Sequence, residues 1–514
     1  MRPLPLPGTS KVPGKLVPYR YPAIATLLAH AEIFDHHKIL TGFRTEKMTR
    51  DNPNRRGFIK SSAAALSILL LPGFLRSQTV SMPKPTPAQL AWQACEVGII
   101  YHFDLPIAAR RFASNNTVKE QLDPRLYNPT KLDTDQWLGA ATAANAKYAI
   151  FTATHFNGFM QWQSDLYPYG LKQASWKSGK GDVVRAFVES CHKAGIQPGL
   201  YFSTHRNAYW QVWDHYVNWG EGKGTTHQQV FNRIAERMTE ELCSRYGPLI
   251  QIWYDAGVKT PGEGGPDVLS IFTKHQPNAV FYHNRVRADF RWIGNEHGYA
   301  DYPCWATMPG GLVSHNSPSW KPILGSGDPE GTVWSPGMVD VPLRGANGVH
   351  NWFWNPDQDH AAHPTEVLVD MYYKSVGRNC NFIIGEVVTP EGLVPQSDID
   401  RLAEFGREIR RRFKKPVGQV QGEGSTIVLD FYAPQQIDHI VLEEDIQNGE
   451  RIREYKVRAI SSDQSSRMLC SGQSIGHKRI HKIESEVVTK IVIEITKSIG
   501  IPQITMSVFR TAIS

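Results

Sequence analysis

Between residues 96 and 285 the chain repeats one pattern: a short run of apolar, β-favouring residues, then a longer stretch with apolar positions three and four apart. "EVGIIYHFD" (96–104), "AKYAIFTATHF" (146–156), "IQPGLYFST" (196–204), "LIQIWYDAG" (249–257) and "AVFYHNR" (279–285) read as strands. "DTDQWLGAATAAN" and "GDVVRAFVESCHKAG" read as helices, the second with Val183, Val184, Phe187 and Val188 on one face. Strand–helix alternation repeated five times predicts a parallel sheet. It loosens between residues 300 and 360, where loops rich in Gly, Pro and Trp intrude, then resumes with "EVLVDMYYKSVG" and the strand "NFIIGE". The prediction is an α/β fold, a (β/α)8 TIM-like barrel with insertions over residues 81–415.

From residue 416 the texture changes. "STIVLDFYAPQQIDHIVLEEDI", "REYKVRAIS" and "TKIVIEITKS" read as strands without convincing helices between them. They predict a C-terminal β-sandwich over residues 416–514. No aromatic cluster stands out in it, which favours bracing the barrel over binding carbohydrate.

The N-terminus reads differently again. "NRRGFIKSSAAALSILLLPGF" joins an arginine pair to a short apolar run, Ala63–Leu71, too short for the roughly 20 residues of a membrane span. It resembles a twin-arginine signal peptide, placed at 48–80 because Met48 starts an n-region of suitable length. Residues 1–47 are then upstream sequence preceding the true start, or a disordered leader. The expectation is export to the periplasm or beyond, with no membrane span in the mature protein.

Charge follows the same division. The net +7 comes from residues 1–79, with 12 Lys/Arg against 4 Asp/Glu, leaving 44 basic and 45 acidic residues elsewhere. A basic leader on a neutral body removes nucleic acid as an expected partner. Six scattered cysteines form no CxxC and no close pair, which argues against a disulfide framework or a zinc site. P-loop and dinucleotide motifs are absent, as are HExxH and an HxH strand end. No cofactor and no metal are expected.

In a parallel barrel the strands' C-terminal ends carry the chemistry. Here they read His102, His155, Tyr201-x-Ser203, Asp255 and Asn284-Arg285. Five successive polar endings predict a pocket. Asp255 either opens an ordinary Asp-x-Gly turn or is a reactive carboxylate aimed by its strand. Retaining glycoside hydrolysis needs two carboxyl groups roughly 5–5.5 Å apart. Glu296, in "RWIGNEHGY", is the candidate partner, with Trp292, Ile293 and Tyr299 expected to lower the polarity around it.

These motifs carry a resemblance. "AKYAIFTATHFNGFMQWQS" is similar to the K-H-H-D-G-F-x-x-W-x-S segment of glycoside hydrolase family 29, the retaining α-L-fucosidases. "GDVVRAFVESCHKAGIQPGLYFS" follows at the family's distance, and "MTEELCSRYGPLIQIWYDAG" resembles its W-[FY]-D-G nucleophile strand. "RWIGNEHGYADYPCWAT" resembles the G-N-E segment of the branch that prefers α-1,3/1,4-linked fucose, and "YYKSVGRNCNFIIGEVVTPEGLV" the last barrel strand and its exit. The resemblance implies a retaining exo-glycosidase acting on fucosylated oligosaccharides or glycans. Asp255 would be the nucleophile and Glu296 the acid/base. His102, His155, Tyr201 and Trp253 would contact the sugar, with Arg285 and Trp305 as pocket wall.

Departures from the pattern matter as well. Phe156 replaces the second His of the pair, Asn157 the Asp, and Ala256 the Gly after the nucleophile; Met338, in "WSPGMVDVPLRG", stands where relatives often carry an acid. They keep open a related L-sugar as substrate, or a non-catalytic carbohydrate-binding protein on a hydrolase scaffold. A metal-dependent barrel hydrolase is a further alternative.

Overall fold

The computed structural model describes residues 82–112, 121–219, 224–311, 317–461 and 465–512. The expected leader (1–47) and signal peptide (48–80) lie outside the described residues.

Eight strands form one all-parallel sheet: β1 (Val97–His102), β2 (Tyr148–Thr154), β3 (Gln197–Phe202), β4 (Gln251–Tyr254), β5 (Val280–Tyr282), β6 (Arg291–Trp292), β7 (Gly337–Pro342) and β8 (Cys380–Val387). Their order is 5-4-3-2-1-8-7-6, a nearly closed barrel whose seam falls between β5 and β6. Asp289 bridges the seam: Phe281 N donates to its Oδ2 (2.7 Å), and its own N–H donates to Phe281 O (3.0 Å).

The helices follow the sequence pattern. Thr86 caps α1 (Pro87–Gln93) in a capping box with Gln89. Asp133 caps α2 (Thr134–Ala143), and Asp182 caps α3 (Val183–Ala194), which ends on the left-handed Gly195 (φ 69°). Then come α4 (Thr226–Ser244), α5 (Val268–His275), α6 (Thr365–Lys374) and α7 (Gln396–Phe413). Among the described residues no α-helix lies between β5 and β6 or between β6 and β7. Loops and a short hairpin, 307–308 with 333–334, take their place, where the sequence pattern loosens.

Helix α1 precedes the first strand and overlaps a Pro-containing stretch, "SMPKPTPAQ" (81–89). The capping box is its signal, and burial of Trp92 is its reason. The indole stacks on Phe290 at 4.5 Å and donates to Gln251 Oε1 at 2.6 Å. It shares a cluster with Ile100, Tyr148, Ile150, Val280, Met338 and Ile383. Tyr148, Gln251 and Val280 begin or nearly begin their strands, so Trp92 plugs the N-terminal end and leaves the opposite rim open.

Beyond α7, six antiparallel strands, β9 (Gly418–Glu423), β10 (Thr426–Glu444), β11 (Ile452–Ile460), β12 (Ser466–Gly472), β13 (Arg479–Ser498) and β14 (Gln503–Phe509), run in the order 9-14-10-13-11-12. The long pair β10 and β13 shifts register between Asp430 and Gln435 and again between Ile437 and His439. Pro434, which has no N–H to give a ladder, sits inside the first shift. Residues from both halves of these strands, Ile427 and Leu429 with Ile440 and Leu442, share one core, as the two layers of a sandwich do. The domain grips the barrel's plugged end. His477 N donates to Asn379 Oδ1 (2.7 Å), Lys478 pairs with Glu96, and Ala306 N donates to Glu450 (2.9 Å). Glu96 and Asn379 immediately precede β1 and β8. This is a brace, away from the open rim.

One buried ion pair anchors a rim loop. Arg344 and Asp398 are fully buried and joined by two bonds, Nε–Oδ2 2.8 Å and Nη2–Oδ1 3.1 Å. The Asn351 N–H donates to Arg344 O at 3.0 Å, fixing the base of the loop that carries residues 350–353. Replacing Arg344 by Leu strands a buried carboxylate, and urea unfolding is expected to show a loss of about 3–5 kcal/mol.

Candidate active site

Side chains of a strand alternate between faces, so residues two apart in β1, β3, β4 and β7 point into the barrel together. Above the apolar layer of Ile100, Ile150, Met338 and Ile383 come His102, Tyr201, Trp253, Asp255 and Asp340. The rings form a nearly continuous wall. His102 lies 6.2 Å from His155, which stacks on Tyr201 at 5.3 Å and 11°. Tyr201 lies 6.1 Å from Trp253, and Trp253 5.9 Å from Tyr282. Trp253 Nε1 is buried without a hydrogen-bond partner among the described residues, a donor left for a ligand.

Asp255 stands one residue past the end of β4. Burial raises its carboxyl above the ordinary range and the charge of Glu296 adds to the rise. The Tyr201 hydroxyl, 2.8 Å from Oδ2, and the Ala256 N–H, 2.8 Å from Oδ1, pull it back. Ala256 adopts φ 55° and Gly257 φ 79°. This left-handed turn after the strand lets the backbone N–H fold onto the carboxylate.

Glu296 is half exposed. Its Oε2 lies 2.6 Å from His350 Nε2 and accepts from Trp352 Nε1 at 3.0 Å. These two residues, more than fifty positions later in the chain, hold it. Of the neighbours expected to make its surroundings apolar, Tyr299 is 43% exposed and Trp292 gives its indole N–H to Asp340 Oδ1 at 2.9 Å. The Trp352 ring lies 5.2 Å from His102, which joins the Glu296 side of the pocket to the Asp255 side.

Asp340 is a third carboxyl. It is 3% exposed, and burial followed by the charges of Glu296 and Asp255 pushes it well above the carboxylate range, which favours its neutral form. The histidines are neutral too: burial brings His102 down to about 3 and His155 well below its ordinary value.

Of the sequence-derived candidates, His102, His155, Tyr201, Trp253, Asp255 and Glu296 assemble around this pocket. Arg285 is exposed and turns to Glu263 Oε1 at 3.4 Å. Trp305 lies under Arg453 at 4.7 Å, in the segment that meets the C-terminal sheet. Neither joins the ring wall, because each is engaged elsewhere by a charged partner. Sequence reasoning missed Asp340, His350, Trp352 and Phe353, the last 4.9 Å from His155. Strand alternation is the signal for Asp340: it lies two residues beyond Met338 and so on the same face, one layer nearer the rim. The aromatic run "NWFWN" is the signal for the others.

The Asn157 departure has a local cause. Its amide donates to Asp104 Oδ2 at 2.6 Å, and its Oδ1 accepts from Phe159 N at 2.7 Å. Burial raises Asp104 to about 7, so a carboxylate at 157 would meet another carboxyl. A raised carboxyl contributes stability below its unfolded value and loses it as pH rises to the folded one, here between about 4 and about 7. Asn157→Asp is expected to cost about 1–3 kcal/mol, more at pH 8 than at pH 5 in urea unfolding at both values.

Comparison with known proteins agrees with this geometry. A family model described as alpha-L-fucosidase matches residues 107–412. Alpha-L-fucosidase 1 of Arabidopsis thaliana is 28% identical over 449 residues, 78% of this chain and 81% of that protein. A Bacteroides thetaiotaomicron crystal structure, provisionally called an alpha-L-fucosidase, is 42% identical with TM-score 0.80 over 84% of this chain and 99% of that one. A Ruminococcus gnavus family 29 fucosidase solved with fucose shares the fold at 20% identity and TM-score 0.70, over 84% of this chain and 95% of that one.

Proposed function

The chain belongs to the alpha-L-fucosidase family, and we propose that it removes terminal α-L-fucosyl residues from oligosaccharides or glycoconjugates with retention, through two displacements. The observation that carries this reading is the pair Asp255 and Glu296 at one barrel rim. Asp255 is aimed by its strand and held by Tyr201, and each of the two is close enough for Glu296's charge to act on Asp255.

Asp255 attacks the anomeric carbon as Glu296 protonates the departing oxygen, giving a glycosyl-enzyme. Glu296 then takes a proton from water, which attacks the same carbon and frees Asp255. A separation of roughly 5–5.5 Å suits that exchange. The neutral His102 and His155 offer hydrogen bonds to hydroxyl groups without a charge of their own, and Trp253 offers an indole N–H and a ring face. Asp340, raised by burial and by both neighbouring charges, favours its neutral form beside the two reacting groups.

The G-N-E segment around Glu296 supports the branch that prefers α-1,3/1,4-linked fucose. Phe156, which packs on His155 at 4.2 Å, favours a second reading in which a related L-sugar with one polar group fewer at that position is the better substrate. The arginine pair at 55–56 and the apolar run after it support export by the twin-arginine route.

An aryl α-L-fucoside tests the reaction. The parent is expected to turn it over, Asp255→Ala to be inactive, and Glu296→Ala to lose about 10²–10⁴-fold on poor leaving groups and regain turnover with azide. A parent inert towards fucosides, other L-sugar glycosides and branched fucosylated glycans would leave a carbohydrate-binding protein as the reading.

Tyr201→Phe removes a hydrogen bond that favours the ionised Asp255, so that carboxyl rises further. The acid limb of the kcat/KM–pH profile should move to higher pH, with activity at pH 7 down about tenfold or more.

A further inference from the structure

The loop leaving β3 carries a second constellation. His205, Asp214 and His215 each bring one ligand-capable atom to within 4.8 Å of the others. His205 Nδ1 lies 3.8 Å from Asp214 Oδ1, and the two imidazoles stand 4.7 Å apart at 67°. Both Nδ1 atoms are buried and have no hydrogen-bond partner among the described residues. Buried polar atoms are paired almost everywhere in folded proteins, so two orphans on adjoining rings call for a reason.

The backbone supplies a separate argument. Residues 212–213 pair with 216–217, which makes Asp214-His215 the two-residue turn of a hairpin. Their φ values are 52° and 74°. A turn with both central residues left-handed favours Asn-Gly or Asp-Gly. Asp214 suits its place, but His215 stands where glycine belongs and carries the strain of a side chain there. Its backbone N–H donates to His205 O at 2.9 Å, which sets the two histidines side by side.

We propose that His205, Asp214 and His215 bind a divalent first-row transition ion of the zinc class. Two imidazole nitrogens and one carboxylate, with water in the fourth place, are an ordinary three-residue zinc set. Ligand atoms about 2.0–2.2 Å from the ion lie closer together than 4.8 Å. The Asp214 side chain, 81% exposed, has room to close that gap. The charges of Arg206 and Lys259 act on His205 and that of Lys259 on His215, while Asp214 acts on both and Glu263 on His215. Such a mixed field gathers no cation by charge alone, so imidazole coordination must carry the affinity, and calcium and magnesium are disfavoured.

The site adjoins the active centre. The Arg206 guanidinium lies over Trp213 at 4.2 Å and Phe156 at 5.1 Å, and its charge lowers the Asp255 carboxyl. An ion clamping the turn beside Trp213 fixes that guanidinium in place.

The full-length chain, stripped with a chelator, is titrated with zinc by calorimetry and with cobalt(II) by visible absorption. The parent should bind one equivalent more than either His205→Ala or His215→Gly. It should also give tetrahedral cobalt bands and a zinc-dependent rise in Tm that both variants lack. His215→Gly puts the preferred residue in the turn, so its metal-free Tm should match or exceed the parent's, which separates loss of the site from loss of the fold. Equal zinc stoichiometry in parent and His215→Gly, an equal Tm rise in the two, or no zinc bound by the parent would overturn the assignment.

Discussion

Three carboxyl groups share one pocket at the open end of the barrel, and they cannot all be charged. Asp340 lies buried and Asp255 partly buried beside the half-exposed Glu296, and the three repel one another. The arrangement works because each is treated differently. Asp255 has the Tyr201 hydroxyl and a backbone N–H, Glu296 has His350 and Trp352 with solvent at its side, and Asp340 is buried, which favours its neutral form. Environment divides identical chemistry into distinct states, as acid–base function on one substrate requires.

That division rests on parts of the molecule far from the pocket. The parallel register brings the ends of β1, β3, β4 and β7 to one level, with Trp92 filling the opposite end. The fully buried Arg344–Asp398 pair holds the base of the loop that delivers His350 and Trp352. The C-terminal sheet grips the plugged end through Glu96, Asn379 and Glu450, which leaves the rim free.

The family pattern and this chain's departures from it can be read together. Asn157 stands where relatives carry Asp, and its amide is what Asp104 needs. Met338 stands where relatives often carry an acid, and its face of β7 carries Asp340 one layer higher. The departures therefore redistribute polar groups without emptying the pocket of them. Phe156 is the exception, an apolar ring at the sugar's expected edge.

The sequence by itself determined what is local or periodic. Strand–helix alternation was enough for a parallel barrel, the change of texture near residue 416 for an antiparallel domain, and polar strand endings for His102, His155, Tyr201 and Asp255. Each of these depends on residues within one element. What only the tertiary structure decided depends on residues distant in the chain: that His350 and Trp352 reach back to Glu296, that Trp305 belongs to the junction with the C-terminal sheet, and that Asp340 is buried beside two other carboxyl groups. Such outcomes follow from which loops cross the rim and how much water they exclude. Periodicity carries no information about either, because burial and Coulomb energy are set by three-dimensional neighbours.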